Sequence, residues 1–196
     1  HSYLVWEQAS QLLRERMERN PDNATAAVTY AELSYRAGQG DEIVGAVDRA
    51  LKAIARSPEA GPNELARKRL FTALLEMIEA GPESPTTIDL DMRRDLLARL
   101  DRTAATSEER VAYLLSAGLT HEMLDQPMRA VETYQRVLES QLLASAEYKR
   151  GQTGLPASTE ATRRIRRLVF EHGPEIYAVF DAEGQRELAR INWSLS

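Results

Sequence analysis

Apolar residues along this chain recur at helical rather than strand spacing, and each recurrence stops at proline or glycine. From Tyr3 to Arg19, residues Leu4, Val5, Trp6, Ala9, Leu12, Leu13 and Met17 share one side of a helix that Asn20-Pro21 ends. A second run covers about 24–37 and meets Gly38 and Gly40; Asp41 can cap a third, reaching about Arg56 before Ser57-Pro58. Gly61-Pro62-Asn63 opens ELARKRLFTALLEMIEA, which is apolar around much of its circumference and is expected to be the most buried helix of the middle region. Beyond Gly81-Pro82 and Ser84-Pro85, the residues Leu90, Leu96, Leu97 and Leu100 predict its antiparallel partner.

The stretch Thr106–Leu143 is the clearest pair. Thr106 and Glu109 stand at capping-box spacing, where hydroxyl and carboxylate satisfy the backbone N–H groups of a helix start. Ala112, Leu115, Gly118 and Leu119 then recur at helical spacing. Asp125 and Pro127 restart the chain as a second helix, with Ala130, Tyr134, Val137 and Leu138 as its stripe. Neither helix buries its stripe alone, so the pair must stack on neighbours. Gly151, Gly154 and Pro156 mark a hinge or loop. Two last helices, about Ser158–Glu171 and Pro174–Ile191, are joined at His172-Gly173-Pro174, and Gly184 weakens the second.

Composition narrows this to an all-α fold. Of 196 residues 43% are hydrophobic but only 6% aromatic, which suits helices packed through small side chains better than a β-sandwich. The net charge of −5 offers no general attraction to nucleic acid or anionic lipid, and no window approaches the length of a membrane span. There is no cysteine, hence no thiolate metal site, a composition compatible with cytoplasm and with a bacterial cell envelope alike. With His1 in place of methionine, the chain is expected to be processed or part of something longer.

The stop signals also repeat. Ala9 precedes Pro21 by the same interval as Ala46 precedes Pro58, and Leu13 corresponds to Ala50, an offset of 37 residues, within the range of solenoid repeats. In AAVTYAELSYRAGQGDEIVGAVDRALKAIARSPE, the residues Tyr30, Leu33 and Ser34 precede Ala46, Ala53 and Pro58. In VAYLLSAGLTHEMLDQPMRAVETYQRVLES, the corresponding features are Gly118, Ala130 and Tyr134. Both segments resemble tetratricopeptide repeats, and the opening helix with Ala9, Leu13 and Pro21 resembles a second repeat helix. The resemblance covers about half the chain; Leu142 stands where proline would close the central unit, and the middle and C-terminal pairs lack the signature. It implies a right-handed solenoid of αα-hairpins over 1–150, with 151–196 as a C-terminal hairpin packing on or capping it. More faintly, PEIYAVFDAEGQRELARI is similar to helical regions joined to propeller-type domains in large bacterial envelope proteins.

Within that resemblance, first helices line a concave face that binds peptide segments. The positions implied here are Ala31, Tyr35, Ala112, Leu115, Leu119 and Glu122, with Tyr35 and Leu119 as lead contacts. The face carries none of the Lys and Asn that clamp a partner's C-terminal carboxylate, so an amphipathic helix or extended segment is expected instead. The competing reading is that these residues are covered by the chain's own helices.

Other candidates each have a plainer alternative. His121-Glu122 begins like a zinc-protease motif, but Asp125 stands where the second histidine belongs; a histidine at a helix end is the alternative, for His172 as well. Glu83, Asp89 and Asp91 could pair for acid–base work, or could cap a helix beside a solvated loop. Arg163, Arg164, Arg166 and Arg167 could meet an acidic partner or nucleic acid, or could be a solvated helix face. No nucleophile elbow or phosphate cradle appears. The expected function is a non-catalytic scaffold binding a protein or peptide segment in an apolar groove, without metal, cofactor or nucleic acid, as part of a larger bacterial protein or assembly. The alternatives are an all-α metal-dependent enzyme using His121, Glu122, Asp125 and His172, and a homo-oligomer packing through Tyr3–Trp6.

Overall fold

The computed structural model describes residues 2–56, 60–81, 84, 86–150, 153–178 and 180. Helices dominate, as the periodicity predicts, and one small hairpin is the exception among the described residues. Contacts divide the chain into two compact units, His1–Ala105 and Thr106–Ser196. Position 150/151, where the repeat resemblance places the start of a C-terminal hairpin, falls within the second of these units.

The first unit holds α1 (Ser2–Arg19), α2 (Ala24–Arg36), α3 (Gly40–Arg56), α4 (Ala60–Glu79) and α5 (Leu90–Thr103). The Asn23 side chain accepts from the Ala26 N–H at 2.9 Å and starts α2, and Gly38 turns the chain after it at φ +74°. The helix α3 begins one residue before the expected cap, which puts Asp41 and Glu42 in its first turn, where the helix dipole favours them. Likewise α4 starts at Ala60, because Pro62 lacks only an N–H that a first turn leaves unpaired anyway. Asp89 caps α5 by accepting from the Met92 N–H at 2.8 Å.

Each of these helices packs on its sequence neighbour, α2 also meets α4, and α3 also meets α5. Small residues permit the closest approach: Ala27, Ala31, Ala46, Ala50 and Ala53 are all buried. The expected burial of α4 is observed at Leu70, Phe71, Leu74, Met77 and Ile78, and its partner α5 buries Leu96, Leu97 and Leu100. The linker before α5 is tied back to α2. Thr86 donates its hydroxyl to the Tyr35 carbonyl at 2.5 Å, and the Tyr35 and Ser84 hydroxyls are 2.5 Å apart.

The second unit opens with α6 (Ser107–Met123), whose capping box is formed as the Thr106/Glu109 spacing predicts. A left-handed Asp125 at φ 54° reverses the chain into α7 (Pro127–Glu139). Ser140 then starts a short α8 (Gln141–Ser145). In place of the expected hinge, β1 (Glu147–Arg150) and β2 (Thr153–Pro156) form an antiparallel hairpin with Tyr148 opposite Leu155. Strands of four residues carry too little alternation to stand out in sequence, and these lean on α6 and α9 (Ala157–His172). Ala161, Ile165 and Leu168 of α9 share one core with Val111, Leu114, Leu115, Ala130, Tyr134 and Val137, which is why α9 belongs with α6 and α7. The Gly173 corner is present at φ 96°, but Pro174–Ile176 is a 3-10 turn rather than the start of an α-helix. Ala178 and Phe180 are helical again, and Gly184 with the rest of the expected last helix beyond Phe180 lies outside the described residues.

Candidate functional site

In the first unit, α1 and α3 stand on either side of α2 and leave a groove of about 550 Å³ between them. Its apolar lining is made by Met17, Pro21, Ala27 and Tyr30. Its rim is charged, with Glu18 and Arg14 from α1 and Asp41, Glu42, Arg49, Lys52 and Arg56 from α3. Local sequence accounts for this arrangement. Gly45, Arg49, Lys52 and Arg56 fall at helical spacing on one face of α3, while Ile43, Ala46, Val47 and Ala50 turn the opposite face into the core.

One end of the groove is spanned by a three-helix contact. Tyr30 on α2 is fully buried, and its hydroxyl donates to Glu42 on α3. Arg14 on α1 donates to the same hydroxyl at 3.1 Å and pairs with the Glu42 carboxylate at 3.0 Å. The Arg49 guanidinium lies 5.3 Å from the Tyr30 ring centroid, within cation–π range. The hydrogen bond from Tyr30, together with Arg14, holds the Glu42 carboxyl below its ordinary range.

The second unit repeats this chemistry with different helices. The Tyr134 hydroxyl on α7 donates to Glu122 on α6 at 2.6 Å and accepts from Arg164 on α9 at 3.1 Å. Arg167 also pairs with Glu122. Burial pushes the Tyr134 phenol above its ordinary value, so it is a structural donor and not an acid. Glu160, buried at the base of α9, accepts from Arg163 at 2.7 Å and from Arg164 at 2.8 Å. Those two arginines hold its carboxyl down to about 2.

The residues singled out from sequence divide sharply. Ala31, Tyr35 and Leu115 are buried and Ala112 and Leu119 half-buried, so the alternative of coverage by the chain's own helices describes the first three. Tyr35 does border a cleft of about 290 Å³ between α2 and α4, but Glu32, Arg69, Arg36 and Glu76 make that cleft polar, and Arg69 pairs with Glu32 across it. Glu122 is occupied by Tyr134 and Arg167, and His121 meets Gln126 at 3.1 Å. Asp125 is the turn residue, and no group of three His, Cys, Asp or Glu gathers for a metal among the described residues. His172 is exposed at the end of α9. Asp89 caps α5 and Asp91 pairs with Arg94 at 2.6 Å, while Glu83 lies outside the described residues.

Of the four clustered arginines, Arg163, Arg164 and Arg167 are engaged by carboxylates of their own unit, and Arg163, Arg166 and Arg167 are exposed. The side chains of Tyr3 and Trp6 lie outside the described residues. No described helix is long and apolar enough to cross a membrane. The sequence signal for the α1–α3 groove is the spacing of Gly45, Arg49, Lys52 and Arg56 on one helix face, which matches no catalytic motif. No family model, no curated protein and no solved structure matches the chain.

Proposed function

We propose that the chain is a non-catalytic protein-interaction module, a TPR-like array of αα-hairpins that holds a segment of another polypeptide. The observation that carries this reading is the α1–α3 groove, which combines an apolar lining with a charged rim and lies open along a helix. The layering in the first unit supports it: α2 rests on α1, α3 and α4, and α3 rests on α4 and α5, as stacked hairpins do when each buries its stripe on the next. The repeat resemblance is supported by the way Tyr134 lies against Gly118, a small residue under a large one at the meeting of two helices.

An enzyme reading finds less support. The carboxylate and imidazole that would serve it, Glu122 and His121, are each engaged by neighbours, and Glu122 answers two donors. The test is a selection of random dodecapeptides displayed on phage against the full immobilised chain, followed by calorimetry with the synthetic peptides. The expected result is a consensus family binding with micromolar Kd. Failure of any sequence to enrich above an unrelated helical control would overturn the reading.

A further inference from the structure

We propose that the α1–α3 groove receives an acidic, amphipathic segment of a partner protein, its apolar residues over Pro21 and Gly45 at the mouth of the groove and its carboxylates over Lys52 and Arg56. The inference rests on the interaction-module reading and names the chemistry of that module's partner.

Charge complementarity is the first support. Arg49, Lys52 and Arg56 lie at i, i+3 and i+7, on one face of α3, and all three are exposed. Arg49 is stacked on Tyr30, but among the described residues no carboxylate pairs with Lys52 or Arg56. This basic edge stands on a chain whose net charge is −5, so it runs against the overall balance. At the other end the Glu42 carboxylate is already satisfied by Tyr30 and Arg14 and Asp41 faces the groove, while Glu18 stands one turn beyond Arg14 on α1. A bound segment is thereby given a direction, with its carboxylates toward Arg56 and any cation toward Asp41.

Length decides between a polypeptide and a small anion. From Asp41 to Arg56 the rim of α3 runs about 22 Å at 1.5 Å per residue. An extended chain of about seven residues covers that distance. One phosphate-sized ion would meet only one end of it.

Gly45 is the third support. Glycine is the poorest helix former after proline, yet it stands inside α3, and a Cβ added there would meet nothing within 4 Å. No neighbour in this chain requires glycine at that point. The absent side chain leaves the middle of the groove open to a close-lying partner backbone.

The peptide selection tests this together with three variants of the full chain. The expected consensus pairs an aromatic or aliphatic residue with Asp or Glu at one end. Lys52→Glu combined with Arg56→Glu is expected to weaken binding about tenfold at low salt and to flatten its salt dependence. Gly45→Leu is expected to block binding with thermal stability unchanged or raised, because the leucine enters the empty groove. Lys52→Gln with Arg56→Gln should give an intermediate loss. Peptides that enrich but bind all variants equally would overturn this site while leaving the interaction module standing. Competition by millimolar inorganic phosphate, with no preference among peptide sequences, would identify a small-anion site and also overturn it. No enrichment at all would remove both inferences.

Discussion

The ring of Tyr134 lies directly on Gly118, so that a Cβ at Gly118 would fall within 2.5 Å of the ring's Cζ. The ring cannot swing away cheaply, since its hydroxyl is held by Glu122 on one helix and Arg164 on another. Gly118→Ala gains helix propensity of at most about 1 kcal/mol. Overpacking a held aromatic costs about 1–3 kcal/mol, and here it should win. We expect the variant to unfold at lower denaturant with an unchanged slope, and an unmoved midpoint would show that the ring is free to shift.

The two tyrosines make the same kind of contact at unequal depth. Glu122 and Arg164 are 14% and 13% exposed, whereas Glu42 and Arg14 are 39% and 52% exposed. Removing the Tyr134 hydroxyl leaves two charged groups short of a partner away from water, at about 1–3 kcal/mol. Water can replace the Tyr30 hydroxyl at the more open Glu42 and Arg14. Tyr134→Phe should therefore lower stability clearly more than Tyr30→Phe. Equal losses in chemical denaturation would refute the ordering.

Glu160 makes the second unit sensitive to acid. Its folded carboxyl, held by Arg163 and Arg164, titrates at about 2 against an ordinary value of 4.5. The unfolded chain thus binds the proton first, and stability falls as pH drops from the ordinary value toward the folded one. Near neutral pH the contribution is fully present. Glu160→Gln should reduce stability at pH 7 and flatten the decline between about pH 4.5 and pH 2. A variant with the same pH profile as the parent, followed by Tyr fluorescence or circular dichroism, would mean that other carboxylates govern acid unfolding.

Gly45→Ala separates the groove from the fold. Nothing lies within 4 Å of the added Cβ, and alanine in a helix interior is favoured over glycine by about 0.5–1 kcal/mol. A rise in Tm of a few degrees is expected. A fall would indicate that α3 packs differently at this point.

Some features were legible because their causes are local. The Thr106/Glu109 capping box, the Asp89 cap, the Gly173 corner and most helix spans depend on residues within a turn or two of one another. Boundaries shift by a residue or more where Gly40, which reads as a break, and Gly61-Pro62, which reads as the approach to a helix, instead lie in first turns. The hairpin at 147–156 escaped notice for the opposite reason. It is held by α6 and α9 and by the Ala157 N–H donating to the Ala146 carbonyl at 2.9 Å, not by an alternating pattern of its own.

The amino-acid order determined by itself that this protein is built from helices, where most of them run, and for most of them which side is apolar, because helical hydrogen bonds and the 3.6-residue period are short-range; on α1 the stripe residues Val5 and Leu12 are exposed. Only the tertiary structure decided what those sides meet. Tyr35 and Leu115 read equally as groove-lining or as covered by neighbouring helices and are buried, while the arginines of α9 read as a solvated face or a partner patch and are largely engaged by Glu160 and Glu122. Arg14 finds Glu42 at a sequence separation of 28. A pairing at that range is set by how three helices stack, and no local pattern encodes it.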